Sequence, residues 1–454
     1  MTNLTAYNQT AYNQIACQQA DQVIHSVCGA LLGSLSHQQA DVLKAPAGAG
    51  KSYAVCTVVQ QIMQMDARVA VVTPTNEQAF SLVANLADRL PGQNIGYLPA
   101  SSVQLPAWAH RPNVRVLDAN HANSVNILVG TLNKLGDAHC RGKLQRFDLL
   151  VMDEAYQADS IRYFAVADLA DRHLLVGDPG QLDPFTTLPD PDRWRGWQED
   201  PLQTAVGALL RYHPQTPVYQ LPITRRLDPR AISLVQSFYP GHPFQAAVQT
   251  GIRSLQLQPA LHSTIVDMAL DHGCQHGWAY LELPAANVLP ADPETIQLIS
   301  TLADRLLQRQ PTVFCEQVPH GRPLRATDIA IAVSHNDQKN HLRYQLQSLG
   351  LADVIVDTAN KLQGRTFEVV IAWHPLAGLV EADNFHLEAG RLCVMLTRHR
   401  QACFVVGRSG DRHLLSGPPP AAPAYLNYDQ EPLLDGWQLH QAIFNHLIPH
   451  QIIV

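Results

Sequence analysis

A glycine-rich loop reads Ala45-Pro46-Ala47-Gly48-Ala49-Gly50-Lys51-Ser52 in the first quarter of the sequence. Residues 41–44 before it have the pattern of a short strand, and a helix is expected from about Tyr53. Successive backbone N–H groups of such a loop can face phosphate oxygens, and the positive end of the helix adds to the attraction. The strand–loop–helix setting is typical of a phosphate-binding P-loop, in which Ala45 stands at the position of the first glycine.

The loop predicts how a nucleotide is held. All eight of its residues are candidate ATP-binding residues: Ala45, Pro46, Ala47, Gly48, Ala49, Gly50, Lys51 and Ser52. Lys51 is expected to reach the β and γ phosphates, and the hydroxyl of Ser52 is expected to ligate a magnesium ion. We therefore expect Mg²⁺ with ATP as the cofactor.

A second motif supplies the carboxylates that a nucleotide hydrolase needs. The apolar strand over residues 147–152 ends in Asp153 and Glu154. Asp153 is the expected ligand of the metal, and Glu154 is expected to polarise the attacking water. An acidic pair at a strand end is often only solvated, but its combination with the P-loop favours hydrolysis over simple nucleotide binding.

Two glutamines and the order of later motifs narrow the class. Gln157 lies just past the acidic pair, and Gln181 lies in a polar turn after another strand, where it is expected to sense the γ-phosphate. With these motifs the sequence resembles superfamily 1 helicases, particularly the branch that includes the RNA-surveillance helicases. The resemblance runs from the P-loop to about Arg408, and its motifs occur in the family's order.

The resemblance implies two RecA-like lobes that close on ATP. Arg226 and Arg398 match second-lobe arginines of the family, with Arg398 as the arginine finger, so that Lys51, Glu154, Gln181, Arg226 and Arg398 form the expected catalytic set. A cation that arrives only when the lobes close couples hydrolysis to closure. Gln157 and Gly364 are further expected ATP contacts.

The resemblance also implies a path for single-stranded nucleic acid. The expected strand-binding residues follow strands in both halves of the chain: Thr73, Pro74, Thr75, Asn76, Thr131, Ser334, Gln338 and Thr358. The sequence departs from the family at Thr366, where an acidic residue is usual, with Glu368 as an alternative. The usual adenine-reading glutamine is also missing before the P-loop, where Gln18, Gln19 and Gln22 are the candidates, so base selectivity stays open.

Short β-branched runs alternate with amphipathic helical stretches, such as Val69–Thr73 followed by residues 76–90. Strands buried on both faces read as continuous apolar runs, which indicates parallel sheets covered by helices. We predict an α/β fold of two RecA-like P-loop domains with small inserts and a short C-terminal extension. The predicted divisions are a flexible tail at 1–19, a first domain at 20–219 with an insert at 90–126, a second domain at 220–415, and a proline-rich linker with a C-terminal helix at 416–454.

Three finer expectations concern the spaces between motifs. Residues 188–219 are expected to form a connector, and residues 241–325 a small insert between motifs of the second domain. In the first insert Trp108, Tyr97 and His110 are either a strand-separating wedge or, more simply, a satellite core. Stacking surfaces for bases also need adjacent basic residues, so the simpler alternative is favoured.

The composition excludes several classes of protein. No apolar run approaches the roughly 18 residues of a membrane-spanning helix, so no membrane partner is expected. The N-terminus lacks the basic residues of a signal peptide, and the eight cysteines are scattered singly, as is typical of a reducing compartment. A cytoplasmic location follows as an expectation. His272, Cys274 and His276 offer too few ligands for a zinc site.

The predicted function is an ATP-dependent helicase or translocase on single-stranded nucleic acid, with DNA slightly favoured over RNA and 5′ to 3′ polarity by analogy. The net charge of −7 argues against a protein that coats duplexes, because phosphate neutralisation dominates such binding. A motor needs only a local basic strip. The alternative is a nucleic-acid-independent ATPase switch that acts on a protein partner in a larger complex, which the acidity and the compact inserts favour.

Overall fold

A computed structural model describes residues 11–33, 39–184, 186–189, 191–194, 197, 200–260, 262–287, 291–417 and 435–454. The first lobe is built on eight parallel strands: β1 (Gln39–Lys44), β2 (Val69–Thr73), β3 (Ile95–Leu98), β4 (Val114–Val116), β5 (Ile127–Thr131), β6 (Leu149–Asp153), β7 (Arg172–Gly177) and β8 (Val218–Gln220). Their order in the sheet is β4-β3-β5-β2-β6-β7-β1-β8. Every neighbouring pair in this sheet is parallel.

Helices cover both faces of this sheet. They are α1 (Gln14–Gly33), α2 (Lys51–Ile62), α3 (Asn76–Arg89), α4 (Leu132–Cys140), α5 (Ser160–Ala167) and α6 (Ala205–Tyr212). Successive residues of a strand point to opposite faces, and accordingly Val71 belongs to the hydrophobic core on one side while Val72 belongs to the core on the other. This two-sided burial explains why the strands read as unbroken apolar runs.

The second lobe is built on six parallel strands: β12 (Trp278–Leu283), β15 (Ile329–Val333), β16 (Ile355–Thr358), β17 (Phe367–Trp373), β18 (His399–Arg408) and β19 (Gln451–Ile453). Their order is β16-β15-β17-β18-β12-β19. The helices of this lobe are α7 (Ile232–Val235), α8 (Ile265–His276), α9 (Pro293–Gln308), α10 (Asn336–Ser348), α11 (Ala359–Leu362), α12 (Asn384–Leu387), α13 (Ala389–Leu396) and α14 (Gly436–Leu447).

Two small sheets lie beside the main ones. One pairs β9 (Ile223–Thr224) with β10 (Gln245–Ala246), and the other orders β11 (Ser254–Gln256), β13 (Thr312–Cys315) and β14 (Val318–Pro323) as β11-β13-β14. Among the described residues no helix is both long and apolar enough to cross a bilayer.

The two lobes repeat one topology. Six strands of the first sheet follow the order β5-β2-β6-β7-β1-β8, and the second sheet follows β16-β15-β17-β18-β12-β19. The chain visits the six positions in the same sequence in both lobes, so β1 corresponds to β12, β2 to β15 and β5 to β16. The prediction of two RecA-like domains is confirmed by this correspondence.

The N-terminal segment differs from its prediction as a flexible tail. Helix α1 already begins at Gln14 and buries Ala16 and Ala20. Ahead of it the N–H of Asn13 donates to the carbonyl of Ala247, 2.8 Å away, and Tyr12 forms a bridge with Val248. The buried face of this first part of the helix consists of alanines. Alanine is only weakly hydrophobic, so the sequence shows no clear helical periodicity here. Residues 1–10 lie outside the described part.

The structure differs from three further expectations about inserts and connectors between the domains. The insert at 90–126 contributes β3 and β4 to the edge of the first sheet. The expected connector at 188–219 contains α6, whose Val206 and Leu209 are buried in the first lobe. Residues 241–325 contain β12, which pairs with β18 and β19 inside the second sheet. The C-terminal helix expected in residues 416–454 corresponds to α14, whereas residues 418–423 of the predicted linker lie outside the described residues.

Buried histidines make the stability of the second lobe depend on pH. Burial, with Arg230 as the next cause, lowers the pKa of His399 to about 3, and burial, with His386 next, lowers the pKa of His440 to about 3. Unfolded histidine titrates near pH 6.5, so below that pH the unfolded chain binds more protons than the folded one, and stability falls as the pH falls.

We expect each of these histidines to remove about 1.4 kcal/mol from the free energy of unfolding between about pH 7.5 and pH 5.5. Urea unfolding at a series of pH values measures the effect. A His440→Leu variant should lose one histidine's share of the pH dependence, whatever its stability at neutral pH. An unchanged pH dependence in that variant would contradict the assignment.

Candidate active site

The loop between β1 and α2 requires glycine at two positions. Gly48 has φ of 75° and Gly50 has φ of 96°, in the left-handed region that side chains disfavour. A Cβ atom on Gly48 would also collide with Cβ of Arg226 and lie 2.9 Å from Oγ1 of Thr224. Glycine at position 48 is therefore needed both for the turn and for the close approach of the second lobe.

A cavity of about 410 Å³ opens at this loop between the lobes. Its wall consists of Tyr12, Gly48, Ala49, Gly50, Lys51, Ser52, Tyr53, Glu154, Arg225, Arg226, Glu316, Gln317, Gly364, Thr366 and Arg400. The remaining loop residues, Ala45, Pro46 and Ala47, are buried behind the wall and support it. A second cavity of about 490 Å³, beside β12 and α9, carries a single charged side chain, Glu294, so the phosphate-binding groups belong to the first.

Lys51 lies among three acids at the centre of the cavity. Its Nζ is 3.4 Å from Oε1 of Glu154 and 3.8 Å from Oδ2 of Asp178. Burial by itself lowers the pKa of Lys51, but the charges of Glu154, Asp178 and Asp153 outweigh it and raise the pKa. The ammonium group therefore stays charged, as a phosphate ligand must.

The acidic pair ends β6 beside the P-loop. Glu154 has φ of 56°, a strained conformation for a non-glycine residue, and its side chain reaches the cavity wall. Burial and then the charge of Glu154 raise the pKa of Asp153 to about 7. A nearby divalent cation would relieve this repulsion.

The residues present fit a magnesium ion. Mg²⁺ takes hard oxygen ligands, commonly one or two carboxylates together with phosphate oxygens and water. The carboxylate of Asp153 and the hydroxyl of Ser52 are such donors, on the two strand-end segments that meet at the cavity. We therefore keep Ser52 and Asp153 as the predicted metal ligands.

The second lobe holds the P-loop through three hydrogen bonds. The hydroxyl of Thr224 donates to the carbonyl of Ala47 at 2.7 Å, and the N–H of Arg225 donates to the carbonyl of Gly48 at 2.8 Å. The N–H of Ala47 donates to the hydroxyl of Tyr239 at 3.0 Å. These bonds bring the adjoining Arg226 to the cavity.

Arg226 reaches the cavity wall from the second lobe, as Arg225 and Arg400 also do. Its Nε donates to Oγ1 of Thr366 at 2.9 Å, and its Nη1 donates to the carbonyl of Thr397 at 3.2 Å. Burial and then the charge of Arg398 lower the pKa of Arg226 to about 9. The anionic phosphates of a nucleotide would offset both the burial of the guanidinium and its repulsion by Arg398. Thr366, the departure from the family's acidic residue, thus positions an arginine.

Arg398 lies beside the cavity. Its side chain is buried and donates to the carbonyl of Val394 and to Oγ1 of Thr397, both at 3.2 Å. Its charge also acts on Lys51, so it belongs to the electrostatic surroundings of the loop. The expected role as an arginine finger stays a prediction.

Sequence reasoning missed several residues of the wall. Tyr12 reaches it from the segment predicted to be flexible, and Glu316 reaches it from the turn between β13 and β14. Glu316 pairs with Arg253 and with Arg400, each at 2.7 Å. Arg253 in turn donates to the backbone carbonyls of Arg225 and Arg226. No local motif marks these residues, because only the tertiary fold brings them together.

The proposed substitutes for missing family residues lie elsewhere. Gln18, Gln19 and Gln22 are exposed on α1, and Tyr12 is the residue of that region at the cavity. Glu368 pairs with Arg322 at 3.0 Å and with Arg400 at 3.7 Å, so its carboxylate is engaged in an ion network.

The predicted nucleic-acid-binding residues all lie near the carboxyl ends of strands, in the last strand residue, the following turn or the start of the next helix. Thr73 and Thr131 are register partners at the ends of β2 and β5, and Thr358 is the register partner of Val333 at the ends of β16 and β15. Thr75 and Thr131 cap α3 and α4 with their hydroxyls. Pro74 and Ser334 lie in the turns after β2 and β15, and Asn76 and Gln338 lie in the first turns of the helices that follow, α3 and α10. Because β2 and β5 correspond to β15 and β16, these turns form two equivalent pairs, one in each lobe.

Comparisons with known proteins agree with this geometry. Residues 29–187 and residues 290–410 each match a family model described as an AAA domain. The first match contains the P-loop and the acidic pair, and the second contains most of the second sheet. The chain is an ATP hydrolase. Its two AAA domains are of the kind typical of superfamily 1 helicases.

Curated relatives of this ATP hydrolase are long proteins. The chain is 22% identical over 389 residues to replicase polyprotein 1ab of Alphamesonivirus 1, covering 83% of this chain and 7% of the polyprotein. It is also 22% identical over 377 residues to the DNA replication ATP-dependent helicase/nuclease DNA2 of Xenopus laevis, covering 79% of this chain and 35% of that protein. The chain thus spans well under half the length of either.

Among solved structures the hydrolase is similar to the PRRSV helicase, with 15% identity and a TM-score of 0.43 over 90% of this chain and 58% of that one. It is also similar to Dbp5 of S. cerevisiae bound to RNA and ADP BeF3, with 13% identity and a TM-score of 0.44 over 90% of this chain and 89% of that one.

Proposed function

We propose that the chain is a helicase or translocase that hydrolyses ATP between its lobes and moves along single-stranded nucleic acid. The observation that carries the proposal is the pair of equivalent strand-end turns, after β2 and β5 in the first lobe and after β15 and β16 in the second. A single nucleic-acid strand that lies across both pairs of turns would contact each lobe separately. Changes in the distance between the lobes would then become movement along the strand.

The turns offer suitable groups for a nucleic-acid backbone. Helices α3, α4 and α10 begin there, and backbone N–H groups at helix N-termini attract phosphates. Ser334 adds a hydroxyl oxygen that is buried and has no hydrogen-bond partner within the described part of the chain. A buried polar group without a partner is costly, and a strand contact in this turn would satisfy it.

The hydrolytic step follows from the cavity residues. Lys51 and the N–H groups of the P-loop bind the phosphates, and Glu154 accepts a proton from the attacking water. Bound Mg²⁺ would offset phosphate charge through Ser52 and Asp153. Arg226 stabilises the charge that develops in the transition state and ties that stabilisation to closure of the lobes.

We further propose DNA as the preferred strand and 5′ to 3′ as the direction, by analogy with the branch that the motifs resemble. The choice of DNA is supported by the similarity to the DNA replication ATP-dependent helicase/nuclease DNA2 of Xenopus laevis. The cytoplasmic location stays a prediction.

Single-stranded oligonucleotides are expected to raise the ATP turnover of the chain at low salt, by about tenfold or more if strand binding stabilises the closed lobes by some 1.4 kcal/mol. The measurement compares DNA and RNA oligonucleotides at saturating ATP. Strand displacement on duplexes with a 5′ or a 3′ tail then tests direction and unwinding. If no oligonucleotide of either kind changes the turnover, the motor proposal fails.

That failure would favour a second function, an ATP-dependent switch that acts on a protein partner. The supporting observation is an exposed apolar patch on α5 and α6. Ile161, Phe164 and Tyr212 are 71%, 53% and 48% exposed, and the rings of Phe164 and Tyr212 lie 6.5 Å apart. Together with the net charge of −7, this patch suits a protein contact better than a nucleic-acid contact.

A further inference from the structure

Four glutamine side chains connect the turn after β2 with the ATP site, and we call them the amide network: Gln78, Gln157, Gln363 and Gln181. Nε2 of Gln78 donates to Oε1 of Gln157 at 2.8 Å. Nε2 of Gln157 donates to Oε1 of Gln363 at 2.9 Å. Nε2 of Gln363 donates to Oε1 of Gln181 at 3.1 Å, and Nε2 of Gln181 donates to Oδ2 of Asp178.

The direction of the amide network is determined at both ends. Both side-chain oxygens of Asp178 accept hydrogen bonds, Oδ1 from the N–H of Gly180 and Oδ2 from Gln181, and Oδ2 also lies 3.8 Å from Nζ of Lys51. Gln181 therefore presents its NH₂ group to Asp178 and its oxygen to Gln363. At the other end the N–H of Thr75 donates to Oε1 of Gln78 at 3.0 Å, which directs the NH₂ group of Gln78 toward Gln157. The two ends independently impose the same orientation on all four amides.

The amide network crosses between the lobes twice. Gln78, Gln157 and Gln181 belong to the first lobe, whereas Gln363 follows α11 in the second. Both hydrogen bonds of Gln363 within the network are therefore made only while the lobes are close together. Opening of the lobes would remove the donor that holds the oxygen of Gln181. Asp178 contacts Lys51 at 3.8 Å, so the orientation of Gln181 bears directly on the phosphate site.

We propose that Gln78, Gln157 and Gln363 are positioning residues that couple strand binding at the turn after β2 to the orientation of Gln181 in the ATP site. The coupling rests on the proposed function, since it needs a strand at that turn. A nucleic-acid strand that contacts Thr75 would fix the N-terminal cap of α3, and with it the side chain of Gln78. The amide network would transmit the fixed position of Gln78 through Gln157 and Gln363 to Gln181. Aligned hydrogen bonds of this kind also polarise one another.

Gln78→Glu tests the direction of the network with little change in shape. The carboxylate still accepts from the N–H of Thr75, so the cap of α3 is kept. It cannot donate to Gln157, and the network then ends in an acceptor at both sides. Wherever the amides reverse, two oxygens must face each other, and this repulsion weakens the contacts through which Gln363 holds the oxygen of Gln181.

The measured quantity is the ratio of kcat with saturating oligonucleotide to kcat without it. We expect Gln78→Glu to lower this ratio by about tenfold, the effect of one hydrogen bond, and KM for ATP to change by less than about twofold, because Gln78 lies off the cavity wall. A purely structural role would change both kcat values together and leave the ratio as it was. Gln258→Glu is the matched control, because Gln258 donates to Gln310 at 3.0 Å in an exposed amide pair away from the site.

Gln78→Met separates the lost hydrogen bond from the added charge. It is neutral, and it should lower the ratio as Gln78→Glu does. A normal ratio in Gln78→Met, or in both variants while wild type is stimulated, would overturn the amide network as a coupling device and leave the proposed function intact. A wild-type chain that no oligonucleotide stimulates would overturn the proposed function and this inference with it.

Discussion

Replacing Lys51 with alanine is expected to lower kcat for ATP hydrolysis by about a thousandfold, as is typical when a cation that stabilises transition-state charge is removed. The ammonium group is charged and lies within 3.4 Å of Glu154 and 3.8 Å of Asp178. Without it the phosphates would meet three acids and no fixed cation of the P-loop. Steady-state turnover of ATP measures the loss in kcat, and equilibrium binding of a non-hydrolysable ATP analogue measures the loss in nucleotide affinity.

Glu154→Gln is the matched control for that variant. It removes an acid and keeps Lys51, so ATP binding should persist while kcat falls by about a hundredfold to a thousandfold through loss of the general base. The pair of variants therefore separates phosphate binding from water activation. A Lys51→Ala protein that hydrolyses ATP at the normal rate would contradict the assignment of the cavity as the ATP site.

Arg226→Ala is expected to have the second large effect, a loss of about a thousandfold in kcat with little change in KM for ATP. Its guanidinium is held at the cavity wall by Thr366 and by the carbonyl of Thr397. It belongs to the second lobe, so its contribution is made when the lobes are closed. Arg226→Lys keeps the charge but loses the two-sided hydrogen bonding of the guanidinium, and it should recover only part of the rate.

Arg225→Ala provides the comparison within the same segment. Arg225 also lines the cavity, but its guanidinium lies 5.5 Å from the ring centroid of Tyr53 and 3.9 Å from a carboxylate oxygen of Asp21. We expect its loss to act more on KM than on kcat. Equal effects of the two substitutions on kcat, measured at saturating ATP, would remove the specific role given to Arg226.

The regular elements were predicted well where the pattern is local. Strand β2 covers Val69–Thr73, as expected from its apolar run. Strands β15 (Ile329–Val333) and β17 (Phe367–Trp373) in the second lobe are buried throughout in the same way. Apolar runs of this kind are read directly because both faces of a parallel sheet are buried, so every residue of the strand carries the signal.

Predictions were less successful at the ends of elements and in the segments between recognised motifs. The helical turn at Gln14 presents Ala16 and Ala20 to the core, and small side chains contribute little to a periodic signal. Strand β12 lies inside the second sheet, between β18 and the edge strand β19, although the family motifs on either side of its segment led to the expectation of an insert. Neither position could be assigned without knowing which surfaces pack against it.

The sequence by itself determined where the P-loop, the acidic pair and the strand-end turns lie and which chemistry to expect of them, because each is a contiguous run with a fixed spacing along one backbone. The tertiary structure alone decided which further residues meet at the cavity: Tyr12, Glu316 and Arg400 arrive there from three distant segments. It also decided the amide network, whose members are separated by up to 206 residues between hydrogen-bonded neighbours. Contacts of that range depend on how the two sheets pack against each other, which no local pattern encodes.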